Sequence, residues 1–186
     1  MLAGYLERWS ARKFLIHVQN RKEDYSRLVD RIREVFKDVN YPGDNDILST
    51  PEHVRECGEC SGLQQALVDR KWEDLAVDPS GYVIHGMNFF TPRGWHYYLP
   101  AYLIQTINCD TFSSLHFEPS NIPQHKHLDE RAVNLTRDQC RVIIAYLLIV
   151  LKKENQRSQS EVDRNVAAVN YWKALCERLK TEGEFE

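Results

Sequence analysis

The stretch Phe89–Ile107, reading FFTPRGWHYYLPAYLIQTI, constrains the fold more than any other. Thr91 can accept the orphan amide protons of a first helical turn, and Pro92 at the first helical position loses no useful donor. Phe90 is placed to staple onto Trp95. A helix of about five turns therefore starts here. Pro100 removes the backbone bond to the His96 carbonyl, which predicts a kink or an interruption. Six aromatic residues share this segment. Trp95, Tyr97, Tyr98, Leu99, Tyr102, Leu103 and Ile107 do not fit one narrow stripe, so part of the aromatic surface is expected to stay open. Trp95, Tyr98 and Tyr102, with Trp172 further on, are the expected partner-binding residues, since rings supply contact area at small entropic cost. The alternative is a core-facing helix whose tyrosine hydroxyls reach loop partners.

A second helix is written between Tyr25 and Val39. Tyr25, Leu28, Val29, Ile32, Val35, Phe36 and Val39 recur at helical spacing, with Arg27, Asp30, Arg31, Arg33, Glu34 and Lys37 on the other side. The charges read as a solvated face. Tyr41-Pro42-Gly43-Asp44-Asn45-Asp46 ends this helix with strong turn formers. Thr50-Pro51 predicts another start, Leu63, Ala66 and Leu67 resume helical spacing, and Trp72 and Leu75 anchor the chain to the core. Asp78-Pro79-Ser80-Gly81 forms a turn, and Tyr82-Val83-Ile84 is expected as a short strand.

Residues 108–134, with Pro119, Pro123 and three histidines, read as a long loop. Thr136 and Gln139 form a capping box for a helix running to about Lys153. Its apolar run, Val142–Leu151, is about half of what crosses a bilayer, which makes it a buried core helix. Polar residues 152–160 serve as a linker. Val162, Val166, Val169, Trp172, Cys176 and Leu179 then form a narrow seam that must bury against this domain or against another chain, which allows a homodimer through the C-terminal helix. The expected architecture is mainly α, a compact multi-helix domain with long loops and at most one short strand pair. It divides into an extension over 1–20, a core over 21–154 and a C-terminal helix over 155–186.

A net charge of -3 gives no electrostatic reason to expect nucleic acid as the main partner. Glu7, Arg8, Arg12 and Lys13 interrupt any signal-peptide core. Five cysteines, an odd number without regular spacing, fit a reducing cytoplasm better than a disulfide framework.

Cys57-Gly58-Glu59-Cys60 is the strongest candidate for chemistry. Two thiolates that close can take adjacent corners of a zinc tetrahedron. The expected ligand set is Cys57, Cys60, His125 and His127, with His53, four residues before Cys57, also within sequence reach. Reduced, partly buried cysteines capping a loop are the alternative. A redox role would suit Cys57 at a helix N-terminus, although no strand of the thioredoxin kind precedes it. A cysteine hydrolase would pair either thiol with a histidine such as His85 or His96. Asp44, Asp46 and Glu59 suggest acid-base or cation chemistry only weakly, because Asp in a Pro-Gly turn serves the turn. Phosphate-cradling glycine loops, serine elbows and zinc-protease helices are missing from the sequence.

YPGDN at Tyr41–Asn45, ECGEC at Glu56–Cys60, RKWEDL at Arg70–Leu75, the Phe89–Ile107 helix and LTRDQCRVIIAYL at Leu135–Leu147 occur in this order. Together they resemble a family of small uncharacterised bacterial proteins, over roughly Glu23–Leu151. The resemblance implies a compact, mainly helical domain and carries no activity. Relatives often place a histidine before the first cysteine, where this chain has Glu56, a departure that weighs against a metal there. The expected function is a non-enzymatic cytoplasmic module that binds another protein, immunity-like or inhibitor-like in kind, with a zinc protein or cysteine hydrolase centred on Cys57 and Cys60 as the alternative.

Overall fold

A computed structural model describes residues 23–48, 51–109, 111, 117, 128–153 and 159–182. The expected extension over 1–20, together with His125 and His127, lies outside these residues. The described chain is mostly helical. Helix α1 covers 23–36, and its predicted stripe is the buried one: Leu28, Ile32 and Phe36 face inward while the charged side faces solvent. A single 3-10 turn, Asp44–Asp46, follows Gly43, whose φ of 85° few other residues tolerate. Then come α2 (Pro51–Glu56), α3 (Gly58–Leu67), α4 (Trp72–Leu75) and α5 (Tyr82–Gly86).

Tyr82–Ile84 is thus helical, and the expected strand is corrected. Gly81 supplies the left-handed residue, at φ 72°, that turns the chain into α5. The strand-like contact lies elsewhere, as an isolated antiparallel bridge between Leu48 and Phe90. Beside it the Thr91 amide donates to the Ile47 carbonyl at 3.0 Å. No longer strand occurs among the described residues.

Helix α6 (Pro92–Asn108) begins as the sequence predicts, with Thr91 Oγ1 accepting from the Gly94 amide at 2.9 Å. It continues through Pro100 without interruption. The expected Phe90 staple takes a different partner: Phe90 stacks on Tyr98, centroids 5.3 Å apart, while Trp95 packs edge-on to Phe117. Helix α6 is the central helix, contacted by α4, α5 and α7, and almost every residue from Gly94 to Ile107 is buried. A helix apolar all round is stable only when surrounded.

The expectation of open aromatic surface is therefore corrected. Trp95, Tyr98, Tyr102 and Trp172 are 0%, 0%, 1% and 0% exposed and present no surface to a partner. The polar tips of two of them, Tyr98 and Trp172, hold the chain together instead. Tyr98 Oη donates to the Leu67 and Arg70 carbonyls at 2.8 and 3.1 Å, closing the end of α3, and Trp172 Nε1 donates to the Phe117 carbonyl at 3.0 Å. Gln105 Nε2, also buried on α6, donates to the Leu75 and Asp78 carbonyls. Donors paired in this way are carried into a core at little cost, whereas Gln105 Oε1 and Trp95 Nε1 are buried with no hydrogen-bond partner among the described residues.

The turn that Gln105 holds is built around Asp78. Its carboxylate accepts from the Ser80 amide and from Arg70 Nη2, each at 2.8 Å. These bonds, Ser80 first, hold its pKa down to about 2. A depressed folded-state pKa stabilises the fold above the unfolded value of roughly 4, and this contribution is lost as pH falls toward the folded value. Urea midpoints measured from neutral pH downward should fall between roughly pH 4 and pH 2 more steeply for the native chain than for Asp78→Asn. Parallel declines would show that the turn contributes nothing there.

Within the expected loop over 108–134 lies a short helix, α7 (Leu128–Ala132), and Phe117 is a fully buried contact of the core. Helices α8 (Arg137–Lys153) and α9 (Gln159–Glu182) complete the described chain. The capping box forms: the Thr136 amide donates to Gln139 Oε1 at 3.0 Å, and the Gln139 amide to Thr136 Oγ1 at 3.3 Å. Helices α8 and α9 make an extensive contact along their length. Cys176 lies against the Arg137 carbonyl, so the end of α9 meets the start of α8 and the pair is antiparallel. The seam of α9 is thus buried within this chain. Its buried side is Asn165, Ala168, Val169, Trp172, Leu175 and Cys176, rotated from the predicted stripe so that Val166 is exposed.

Candidate metal centre

Helix α2 ends at Glu56 with a final turn in which the Cys57 amide donates to the His53 carbonyl at 2.9 Å. Cys57 is then extended, φ -100° and ψ 108°, and becomes the N-cap of α3, its Sγ accepting from the Cys60 amide at 3.5 Å. Two helices meet at this residue. The corner returns His53 to the thiols: His53 Nε2 lies 3.5 Å from Cys60 Sγ. The ligand atoms of His53, Cys57 and Cys60 all lie within 4.8 Å of one another. Exposure is graded across the cluster, with His53 exposed, Cys57 half-buried and Cys60 fully buried.

The two thiols are electrostatically unlike. Hydrogen bonding, first from the Cys60 backbone amide, lowers the Cys57 pKa. Burial, with the neighbouring Cys57, pushes that of Cys60 up to about 11. Both are free thiols. A zinc tetrahedron with Zn–S of about 2.3 Å and Zn–N of about 2.0 Å has an S···N edge of roughly 3.5 Å. The distance between Cys60 Sγ and His53 Nε2 is already that edge, 3.5 Å. Among the described residues, three protein ligands can therefore hold a metal here.

Of the expected ligands, the structure brings Cys57 and Cys60 together and supplies the imidazole from His53. His125 and His127 lie outside the described residues. The signal for His53 is in the sequence: positions 53, 57 and 60 are spaced i, i+4, i+7, one face of a helix. The corner at Cys57 preserves that face although it ends α2.

The other candidates serve the fold. Asp44 accepts from Tyr41 Oη at 2.6 Å, and Asp46 pairs with Arg93 at 3.0 Å. His96, a possible hydrolase partner by sequence, donates from Nε2 to Gln139 Oε1 at 3.0 Å rather than meeting either thiol. The direction follows from Gln139, whose Nε2 donates to the Val35 carbonyl, leaving Oε1 as acceptor from both Thr136 and His96. Burial lowers the His96 pKa, only partly opposed by this bond. His96 and Gln139 line a cleft of about 530 Å³ with Asp38, Asn40, Arg93 and Asn134, which contains no cysteine.

Fold and cluster together define a helical protein with a His/Cys/Cys group able to hold a metal ion. The chain belongs to a family of unknown function, DUF6714, whose model matches residues 24–176 and so extends well into α9. No curated protein and no solved structure matches it. Among the described residues, no helix is long and apolar enough to cross a membrane.

Proposed function

We propose that this protein binds one zinc ion through His53 Nε2, Cys57 Sγ and Cys60 Sγ. The observation that carries this reading is the convergence of one imidazole and two thiols within 4.8 Å at a helix corner. Two thiolates with an imidazole form a soft ligand set that suits zinc, whereas magnesium and calcium take oxygen donors. The metal would tie α2 to α3 across the corner. This reading takes precedence over a partner-binding role, immunity-like or inhibitor-like, because the rings that motivate such a role are interior while the metal-binding side chains converge near the surface.

Reduced protein, purified without chelator from zinc-supplied medium, should carry close to one zinc per chain by elemental analysis. Cobalt substitution should give thiolate charge-transfer absorption. Cys57→Ser combined with Cys60→Ser should abolish uptake, and His53→Ala should weaken it by at least about 100-fold, beyond what loss of an outer-shell partner costs. Cys109→Ser should change nothing, since Cys109 is an exposed residue at the end of α6 and no part of the cluster. Metal at trace level in the native chain, with no binding in a zinc titration, would refute the proposal.

A further inference from the structure

Without a metal, the same three side chains are arranged for a different reaction. We infer that Cys57 and Cys60 form a dithiol that exchanges with disulfide substrates, Cys57 attacking first and Cys60 closing the ring. The inference uses the residues of the metal site but does not depend on metal binding.

Three features of the cluster carry it. The first is access: Cys57 is half-buried at the surface corner, whereas Cys60 is fully buried behind it, so an incoming disulfide meets Cys57 Sγ. The second is the N-cap geometry, in which the Cys60 amide points at Cys57 Sγ at 3.5 Å and stabilises negative charge on the attacking sulfur. No thioredoxin-type strand is required for this, because the corner between α2 and α3 aims the sulfur. The third is His53, whose Nε2 lies 3.5 Å from Cys60 Sγ and can receive the proton that this buried thiol must lose before it attacks.

The steps balance. Cys57 Sγ, as thiolate, attacks one sulfur of the substrate disulfide. The substrate S–S bond breaks, a protein–substrate mixed disulfide forms, and the first substrate sulfur leaves as thiolate and takes up a proton from solvent. Cys60 Sγ passes its proton to His53 Nε2 and attacks Cys57 Sγ. The mixed disulfide breaks, the Cys57–Cys60 disulfide forms, and the second substrate sulfur leaves as thiolate and takes up a proton. One substrate disulfide is reduced to two thiols, and the protein dithiol is oxidised to one disulfide. The sulfurs begin within 4.8 Å of each other, so rotation of side chains is the movement needed.

The test uses the full chain, reduced and freed of metal with chelator, and oxidised glutathione as the probe. Acid quench, alkylation and peptide mass spectrometry follow each cysteine. Cys57 should form the mixed disulfide at least about tenfold faster than Cys109, which is exposed and serves as the control within the same molecule. The native chain should then accumulate a Cys57–Cys60 disulfide. Cys60→Ser should stop at the mixed disulfide on Cys57, and Cys57→Ser should yield neither species. His53→Gln should slow ring closure by about 100-fold relative to formation of the mixed disulfide. Each variant is checked for native helix content by circular dichroism.

Equal rates at Cys57 and Cys109, or a Cys60 that stays reduced at every ratio of disulfide to thiol, would overturn the inference. Unchanged closure in His53→Gln would remove the role given to His53. Exchange is read on chelator-treated protein and zinc uptake on reduced protein, so either result can fail without the other.

Discussion

Trp172→Ala should destabilise this protein by about 3–5 kcal/mol, the range for deleting a fully buried tryptophan. For a chain of this size that lowers the melting temperature by about 10 °C. The indole is 0% exposed, packs edge-on to Phe117 and Tyr171, and donates from Nε1 to the Phe117 carbonyl at 3.0 Å. Removing it leaves a cavity between α9 and the core and a buried carbonyl without its donor. Trp172→Phe separates the two effects. It keeps most of the ring and forfeits the hydrogen bond, so it should cost only about 1–2 kcal/mol. Urea denaturation gives both values. A loss below about 1 kcal/mol for the alanine variant would mean that α9 does not pack here and that its seam is available to another chain.

The second large effect reverses an ordinary rule. In a helix interior, Gly→Ala usually stabilises by up to about 1 kcal/mol. Gly62 in α3 should follow that rule, because nothing lies within 4 Å of a Cβ added there. Gly94 should not. A Cβ at Gly94 would lie 2.1 Å from the Ile47 carbonyl oxygen and 2.9 Å from its carbon. These are backbone atoms, and the same carbonyl accepts from the Thr91 amide at 3.0 Å, so it has no free direction in which to retreat. Gly94→Ala should therefore separate segment 46–48 from the start of α6 and cost about 2 kcal/mol or more after the propensity gain is subtracted. Thermal melts of Gly62→Ala and Gly94→Ala should shift in opposite directions. A Gly94→Ala chain as stable as the native one would mean that this close approach does not exist.

These two sites show how local and non-local information divide in this protein. The caps at Thr91 and Thr136 and the stripe of α1 are legible from sequence because each depends on partners three or four residues away. The reading fails at Tyr82–Ile84, three residues too few to establish a period, where Gly81 and packing on α6 select a helix turn. It fails again over the aromatic helix. Its composition is plain, but whether the rings face solvent depends on α4, α5, α7 and Phe117, and no periodicity within Phe89–Ile107 records their arrival. The seam of α9 is a milder case: the amphipathic side is visible, yet its rotation toward Asn165 and away from Val166 is set by α8. The cysteine pair is obvious in the sequence. The imidazole that joins it among the described residues, His53, is legible only if the helical face is allowed to continue past the break at Cys57.

Sequence alone determines the stripe of α1, the capped starts of α6 and α8, and the two thiols spaced for joint chemistry, because these properties rest on short-range sterics and hydrogen bonding. Tertiary packing decides which aromatic rings are withdrawn from solvent and which glycine admits no side chain. Those outcomes depend on groups distant along the chain that meet only after the helices have assembled, and on the high cost of leaving so much apolar surface in water.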